Sequence, residues 1–252
     1  MDFFRILWRG LRDVYDSFAY SILISLAFWL ACSPMILGYP FLAVGPLVAP
    51  LFLLSAILVP PALVALHALA DPRTVVNRME WSEALDLMRT SFFRSWKIAF
   101  ITIIPLIMIV WNIMFFAGSS HTLELFIPLW TVMAVFLFVL TFYCFSLAGT
   151  HESGWRNAFR GGMYVMVKYP GRTVLLSLFL LFVGYLFVLS LLPMFLIGPA
   201  MFAAVVNRFV FDAFEVHVVD PDSPTSERAF ERERGINPER SIADRLMRRD
   251  RK

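Results

Sequence analysis

The sequence predicts an all-α fold, an integral membrane bundle of six transmembrane helices with both termini on the cytoplasmic side. The first observation is composition: the 252-residue chain is 59% hydrophobic and only 16% charged, whereas a soluble domain is roughly a quarter charged. The second is the placement of positive charge. All but one of the 22 lysines and arginines lie in alternate polar segments between long apolar runs. This is the positive-inside pattern of a multi-span membrane protein.

The long apolar runs give the order of the predicted spans. A membrane-spanning helix needs roughly 20 mainly apolar residues, and six runs meet that length within a membrane domain at 1–216. The turns near 34–46, 117–123 and 190–194 hold no lysine or arginine, so they are predicted to face outward. The predicted spans cover residues 18–37, 41–68, 98–117, 123–147, 173–191 and 192–214.

The remaining segment, residues 217–252, is a polar tail. From Asp220 it is rich in Asp, Pro and Ser, and it continues with interspersed Arg and Glu. Such a segment has too few apolar residues to fold alone, so we expect a mostly disordered, basic, cytoplasmic tail. Its attraction is to anionic lipid headgroups. No aromatic or fold context accompanies the charges, so no nucleic-acid partner is expected.

A weak internal repeat divides the membrane domain into three. Trp8, Trp81 and Trp155 are 73 and 74 residues apart, and each begins a basic, amphipathic stretch, or leader, ahead of two spans. From Trp81 to Trp96 the apolar positions follow the periodicity of one helix face. The chain therefore predicts three hairpins in the same orientation, each preceded by a leader helix. The leaders either lie in the cytoplasmic interface, with aromatic rings toward acyl chains and arginines toward headgroups, or pack under the bundle as a collar.

Arg208 is the basic residue that departs from the alternating pattern. One interpretation places it at the inner interface, where it extends to the headgroups or pairs along its own helix with Asp212. The other makes it a buried functional charge. Predicted interfacial anchors are Trp8, Trp81, Trp155, Arg94 and Arg208.

Two Gly-Pro pairs are predicted to break helices at the outer side. Proline removes a backbone donor and disfavours helix at the residue before it. In lipid, the freed carbonyl groups have to be buried in protein or line a cavity. The breaks therefore either frame a small outward-facing cavity or form tight turns that close the bundle. The positions concerned are Gly45, Pro46, Ala49, Gly198, Pro199 and Ala203.

Sequence motifs for catalysis or for cofactor and metal binding are not recognisable in the chain, so no catalytic, cofactor or metal residues are expected. His67, His151 and Glu152 are the inner-side polar residues that a lipid-modifying enzyme could use. Spans one to five carry no charge well inside them, which disfavours a proton-coupled pump. Cys32 and Cys144 are expected to behave as small apolar residues. A lipoprotein-type site at Cys32 is the weaker alternative.

Several short motifs occur together in the membrane domain. They are a basic aromatic leader, Pro34-Met35-Ile36, Gly45-Pro46, Phe92-Phe93-Arg94 and Gly198-Pro199-Ala200. Together these motifs resemble the YesL-like family of bacterial membrane proteins, a domain of unknown function. The resemblance spans residues 1–216 and implies a bacterial plasma (inner) membrane location and an accessory role in carbohydrate uptake. It brings no catalytic residues.

The function expected from the sequence is that of a non-enzymatic accessory or scaffold component. The expected partners are the lipid bilayer, anionic headgroups contacted by the leaders and tail, and a membrane-protein partner or a second copy. The alternative is a small permease or carrier for a neutral solute, with its site beside the two Gly-Pro breaks.

Overall fold

The structure is a computed structural model that describes residues 3–41, 49–73, 81–117, 125–151, 154–189 and 191–214. These residues form nine α-helices and no strand. The predicted tail lies outside them. The helices are α1 (Phe3–Asp16), α2 (Phe18–Phe41), α3 (Ala49–Leu69), α4 (Trp81–Thr90), α5 (Phe92–Ala117), α6 (Ile127–Thr150), α7 (Trp155–Lys168), α8 (Pro170–Leu189) and α9 (Leu191–Ala213).

The three leaders are helical, as predicted, and six longer helices overlap the six predicted spans, with two corrections. The helix that covers the first predicted span extends past residue 37 to Phe41, and the helix that covers the second predicted span begins at Ala49 rather than at residue 41. The second leader does not run unbroken into the next span. Instead α4 ends at Thr90, whose hydroxyl bonds back to the carbonyl of Asp86 (2.9 Å), and α5 begins at Phe92.

By length and composition, three helices of the described chain could each cross a membrane. They are Phe92–Ala117, Ile127–Thr150 and Phe195–Ala213. Up to five spans result if each sharply bent helix pair counts as one. The bends are 90° between α1 and α2 and 103° between α7 and α8. A shorter apolar segment, Ala56–Leu69, lies within α3.

The helices pack in an order that repeats three times. The second arms of the hairpins, α3, α6 and α9, all contact one another, and the first arms, α2, α5 and α8, lie around them. Each leader packs on the second arm of the hairpin before it, since α4 contacts α3 and α7 contacts α6. The first leader completes this order, because α1 packs on α9. The ends of the described membrane domain are therefore joined into a closed ring of three units.

Hydrogen bonds follow the same cyclic order. The backbone N–H of Ala200 in α9 donates to Ser25 Oγ in α2 (3.2 Å), and the indole N–H of Trp96 in α5 donates to the carbonyl of Ile57 in α3 (3.1 Å). The hydroxyls of Tyr143 in α6 and Thr173 in α8 lie 3.4 Å apart. Each pair joins the first arm of one hairpin to the second arm of the preceding hairpin, with α2 following α9.

Glycines allow the central helices to approach closely. A Cβ on Gly149 of α6 would lie 2.5 Å from the carbonyl oxygen of Val64 and 3.0 Å from the nitrogen of Ala68, both in α3. Because real Cβ atoms essentially never come that close, any larger residue would force α3 and α6 apart. Small residues at helix contacts are what close packing in a membrane requires.

Two helix-interior prolines show how the broken backbone bonds are compensated. Pro34 leaves the carbonyl of Leu30 without its usual N–H donor, and Ser33 Oγ donates to that carbonyl instead (2.8 Å). Pro61 likewise leaves the carbonyl of Ile57 without its usual N–H donor. That carbonyl accepts a hydrogen bond from the indole N–H of Trp96. These substitute donors explain why α2 and α3 continue through residues that ordinarily end a helix.

The Trp96 bond can be tested with a double-mutant cycle. We expect Trp96→Phe to lower the free energy of unfolding by about 1 kcal/mol, because the Ile57 carbonyl loses its donor. In a Pro61→Ala background the restored N–H supplies that donor, so the same substitution should cost less. Denaturant titration in detergent measures both. Equal costs in the two backgrounds would show that the indole does not compensate for the proline.

Candidate functional site

The candidate site is a buried polar cluster where the C-terminal parts of α3, α6 and α9 meet. Asn207 of α9 is fully buried and makes four hydrogen bonds. Its Nδ2 donates to the carbonyls of His67 (2.8 Å) and Ala70 (3.0 Å). Its Oδ1 accepts from Ser146 Oγ (2.7 Å) and lies 2.9 Å from His67 Nδ1. Each of the three central helices thus contributes a polar side chain to one cluster.

Asn207 takes the place of a helix cap at the end of α3. The last carbonyls of any helix lack intrahelical donors. Near the end of α3, the N–H of Asp71 bonds to the carbonyl of Ala68 (3.3 Å) rather than to that of His67. The amide of Asn207 supplies donors to the carbonyls of His67 and Ala70. A buried asparagine on one helix therefore satisfies the backbone of another, as an apolar interior requires.

The same bonds fix the tautomer of His67. Because the Asn207 Nδ2 faces two carbonyls, its Oδ1 has to be the acceptor, so His67 Nδ1 carries the hydrogen. His67 Nε2 then presents a lone pair, and among the described residues it has no hydrogen-bond partner. An oriented imidazole with an unprotonated nitrogen has the form of a general base. However, the ring is fully buried and lies edge-on to Phe142, with ring centroids 6.3 Å apart.

A second layer, formed by Asp71, Arg73, Thr150, His151 and Phe211, lies where α3 and α6 end. The Arg73 guanidinium pairs with the buried Asp71 carboxylate (2.6 Å) and donates to the carbonyl of Thr150. It also lies 4.7 Å from the ring centroid of Phe211 in α9. Arginine suits this position because its planar fork donates in several directions while its face packs on an aromatic ring. This layer joins the same three helices a second time.

His151 belongs to this layer and is neutral in the folded chain. Its Nδ1 lies 2.7 Å from Thr150 Oγ1 and its ring is edge-on to Phe211, with centroids 5.5 Å apart. Burial first, and the nearby charge of Arg73 second, lower the pKa of His151 from 6.5 to about 4. A protonated His151 would place a second cation beside Arg73, which the site does not accommodate.

Two further ion pairs attach neighbouring helices to α9. Arg208 binds Asp13 of α1 through both carboxylate oxygens, with Nη2 to Oδ1 at 2.6 Å. Arg172 of α8 binds Asp212 (2.7 Å) and stacks on Tyr169. The sequence interpretation that Arg208 pairs along its own helix with Asp212 is wrong. The side chains of Arg208 and Asp13 are 14% and 18% exposed. They form a partly buried ion pair between the first and the last helix of the described sequence.

The structure places the other predicted positions in different surroundings. Gly198, Pro199 and Ala203 of α9 are buried, and Ala203 belongs to a small apolar cluster with Ile24 and Leu66. Gly45 and Pro46 lie outside the described residues. Ala49 is the first residue of α3, and its side chain is not among those described.

Trp8 and Trp81 are exposed, whereas Trp155 packs partly against the core. Arg94 is half-buried near the start of α5. No metal-binding cluster of His, Cys, Asp or Glu occurs among the described residues.

A small cleft lies between the α1–α2 corner, the end of α3, and α9. Its walls include Asp13, Ser17, Ser21, Ala200 and Ala204, and its volume is about 20 Å³. A cavity needs roughly 10–15 Å³ to hold one water molecule. This space therefore suits a water molecule rather than a sugar-sized solute.

Sequence reasoning missed Asn207 and Ser146, the residues that organise the site. A signal for Asn207 was present: an amide within the last long apolar run is a costly residue that needs partners. Ser146 gave no comparable signal, because serines inside such helices commonly bond to their own backbone. His67 was named as an inner-side candidate, but its pairing with Asn207 was not predicted, since the two residues lie 140 positions apart.

The fold and its apolar helices define the class: a helical chain with several helices long enough to cross a membrane, compatible with a multi-pass membrane protein. No protein-family model, curated protein or solved structure matches the chain closely enough to assign it to a family.

Replacing Asn207 should destabilise the fold more than any single partner does. We expect Asn207→Leu to lower the free energy of unfolding by about 2–4 kcal/mol, because it leaves Ser146, His67 and two carbonyls without partners. Ser146→Ala removes one bond of the four and should cost about 1 kcal/mol. Denaturant titration in detergent measures both, and similar losses for the two variants would contradict the central role of Asn207.

Stability should fall in acid because of His151. In the unfolded chain this histidine takes up a proton near pH 6.5, whereas the folded chain resists protonation until about pH 4. The unfolded state therefore binds more protons as the pH falls between these values, and folding stability declines there. His151→Gln should remove this contribution. From pH 7 to pH 4, the apparent melting temperature of the wild type should fall relative to that of the variant. A constant difference between the two would contradict the assignment.

Proposed function

We propose that this chain is a six-span protein of the bacterial plasma membrane that acts as a non-enzymatic accessory or scaffold component. The observation that carries the proposal is the arrangement of the leaders. Helices α1, α4 and α7 each pack on the preceding hairpin and leave aromatic and basic side chains exposed. Such helices offer binding surfaces to a partner or to the membrane surface.

Support for six spans in three parallel hairpins comes from the polar cluster. Because Asn207 binds both His67 and Ser146, the C-terminal parts of α3, α6 and α9 lie at the same end of the bundle. Second arms that share an end run in the same direction, as three hairpins in one orientation require. Arg73, Arg172 and Arg208 lie near this end, and the positive-inside rule makes it the cytoplasmic one.

Support for an accessory role over a carrier comes from the packing at the second Gly-Pro break. Gly198, Pro199 and Ala203 are buried, and the cleft next to Ala200 has a volume that suits a water molecule. The inner end is closed by the Asn207 cluster and the Arg73 layer. From the resemblance to YesL-like proteins we also propose that the chain assists carbohydrate uptake.

The proposed partners are anionic headgroups, which the leaders and the tail contact, and a membrane-protein partner or a second copy of the chain.

Topology and role are tested together. Fusions of alkaline phosphatase after residues 42, 120 and 190 should be active in bacterial cells, whereas fusions after 76, 152 and 252 should be inactive, because only the first set is exported.

In proteoliposomes, the purified protein should show no counterflow of neutral sugars, with a known sugar carrier as the positive control. Counterflow that a bulky substitution at Ala203 abolishes would replace the accessory role with the carrier.

A further inference from the structure

Helix α1 has three distinct faces. Ile6, Gly10 and Val14 are buried and recur every four residues, so they form one stripe along the helix. This stripe packs on α9 so closely that a Cβ on Gly10 would lie 3.0 Å from the Cα of Val205. Phe3 extends the contact, its ring centroid 5.2 Å from that of Phe209.

The two other faces of α1 point away from the bundle. Phe4, Trp8 and Tyr15 are 68–78% exposed and form an aromatic stripe. Arg5 and Arg9 are exposed on a second stripe, which the Arg12–Asp16 pair continues. At 100° per residue, the aromatic and basic stripes lie roughly 100° apart around the helix. Both stripes are therefore available at once while the third face is docked.

The orientation of α1 is fixed by the Asp13–Arg208 pair and by its right angle to α2. If α2 crosses the membrane, a helix at 90° to it lies along the membrane surface. The aromatic stripe then reaches the boundary of headgroups and acyl chains, and the basic stripe reaches the phosphates, as in interfacial helices. The leader α7 also bends away from its span, by 103°, but its exposed apolar and basic residues are intermixed around the helix.

We propose that α1 is a latch that closes the ring of three hairpins on α9, and that anionic phospholipid headgroups hold the latch shut. This inference rests on the proposed membrane embedding. Docked α1 presents its aromatic and basic stripes to the lipid together. Undocking also separates the Asp13 carboxylate from Arg208, and anionic headgroups repel that carboxylate. Anionic lipid therefore favours the docked state, and by reciprocity docking favours lipid binding.

Hydrogen exchange of the full chain in nanodiscs tests the latch. In phosphatidylglycerol nanodiscs, the α1 amides should exchange on the order of tenfold more slowly than in phosphatidylcholine nanodiscs, because headgroup contacts oppose opening. Arg5→Gln/Arg9→Gln should remove this lipid dependence. The matched control is Arg156→Gln/Arg160→Gln, which makes the same charge change on exposed positions of α7 and should keep it.

Equal α1 exchange in the two lipids, or a lipid effect that survives Arg5→Gln/Arg9→Gln, would overturn the proposal. A second variant tests the docking side. Asp13→Asn/Arg208→Gln should speed α1 exchange in both lipids while α6 stays protected, and unchanged α1 exchange would contradict the latch. Failure of the latch can be distinguished from failure of the chain to insert in the membrane. A chain that inserts with α6 protected but ignores lipid charge fails only this inference, whereas a chain that does not insert fails the proposed function.

Discussion

The bundle depends on one requirement: backbone carbonyl groups that lack a donor within their own helix need one from a side chain. Asn207 meets this requirement for three helices at once, because its amide satisfies the end of α3 and its oxygen accepts from α3 and α6. Without it, the His67 and Ala70 carbonyls would lose the donors that cap α3. The positions of α3, α6 and α9 are therefore linked through a single side chain, and the outer helices pack on that triangle.

The same requirement explains the role of proline. A proline inside a helix ordinarily kinks or ends it, since it removes one hydrogen bond and crowds the preceding turn. Here the carbonyl groups that Pro34 and Pro61 leave open are taken by Ser33 and by Trp96. The second of these donors comes from a different hairpin. A local defect in α3 thereby becomes a contact between repeat units, which makes the proline part of the packing.

Much of the secondary structure could be predicted from the sequence, because hydrophobic length and helical periodicity are local signals. The nine helices follow from them, apart from the extension of α2 beyond residue 37 and the break at Ser91. The tertiary order could not be read this way. The tryptophan spacing aligns Trp8 with Trp155, but in the structure the buried stripe of α1 passes through Gly10, and Trp8 points outward. The pairs Asp13–Arg208 and His67–Asn207 join residues 195 and 140 positions apart, and no periodicity in one sequence reports such contacts.

The polar residues of α9 explain how a chain with a beginning and an end can form a closed ring. The leaders α4 and α7 are covalently next to the hairpins they pack on, so their local concentration is high without any charge. The leader α1 is far along the chain from α9 and has no such advantage. The Asp13–Arg208 ion pair, the Gly10–Val205 approach and the Ser25–Ala200 bond all lie at this junction. This partly buried pair holds α1 in one orientation on α9, because a displaced α1 would leave both charges without their partners.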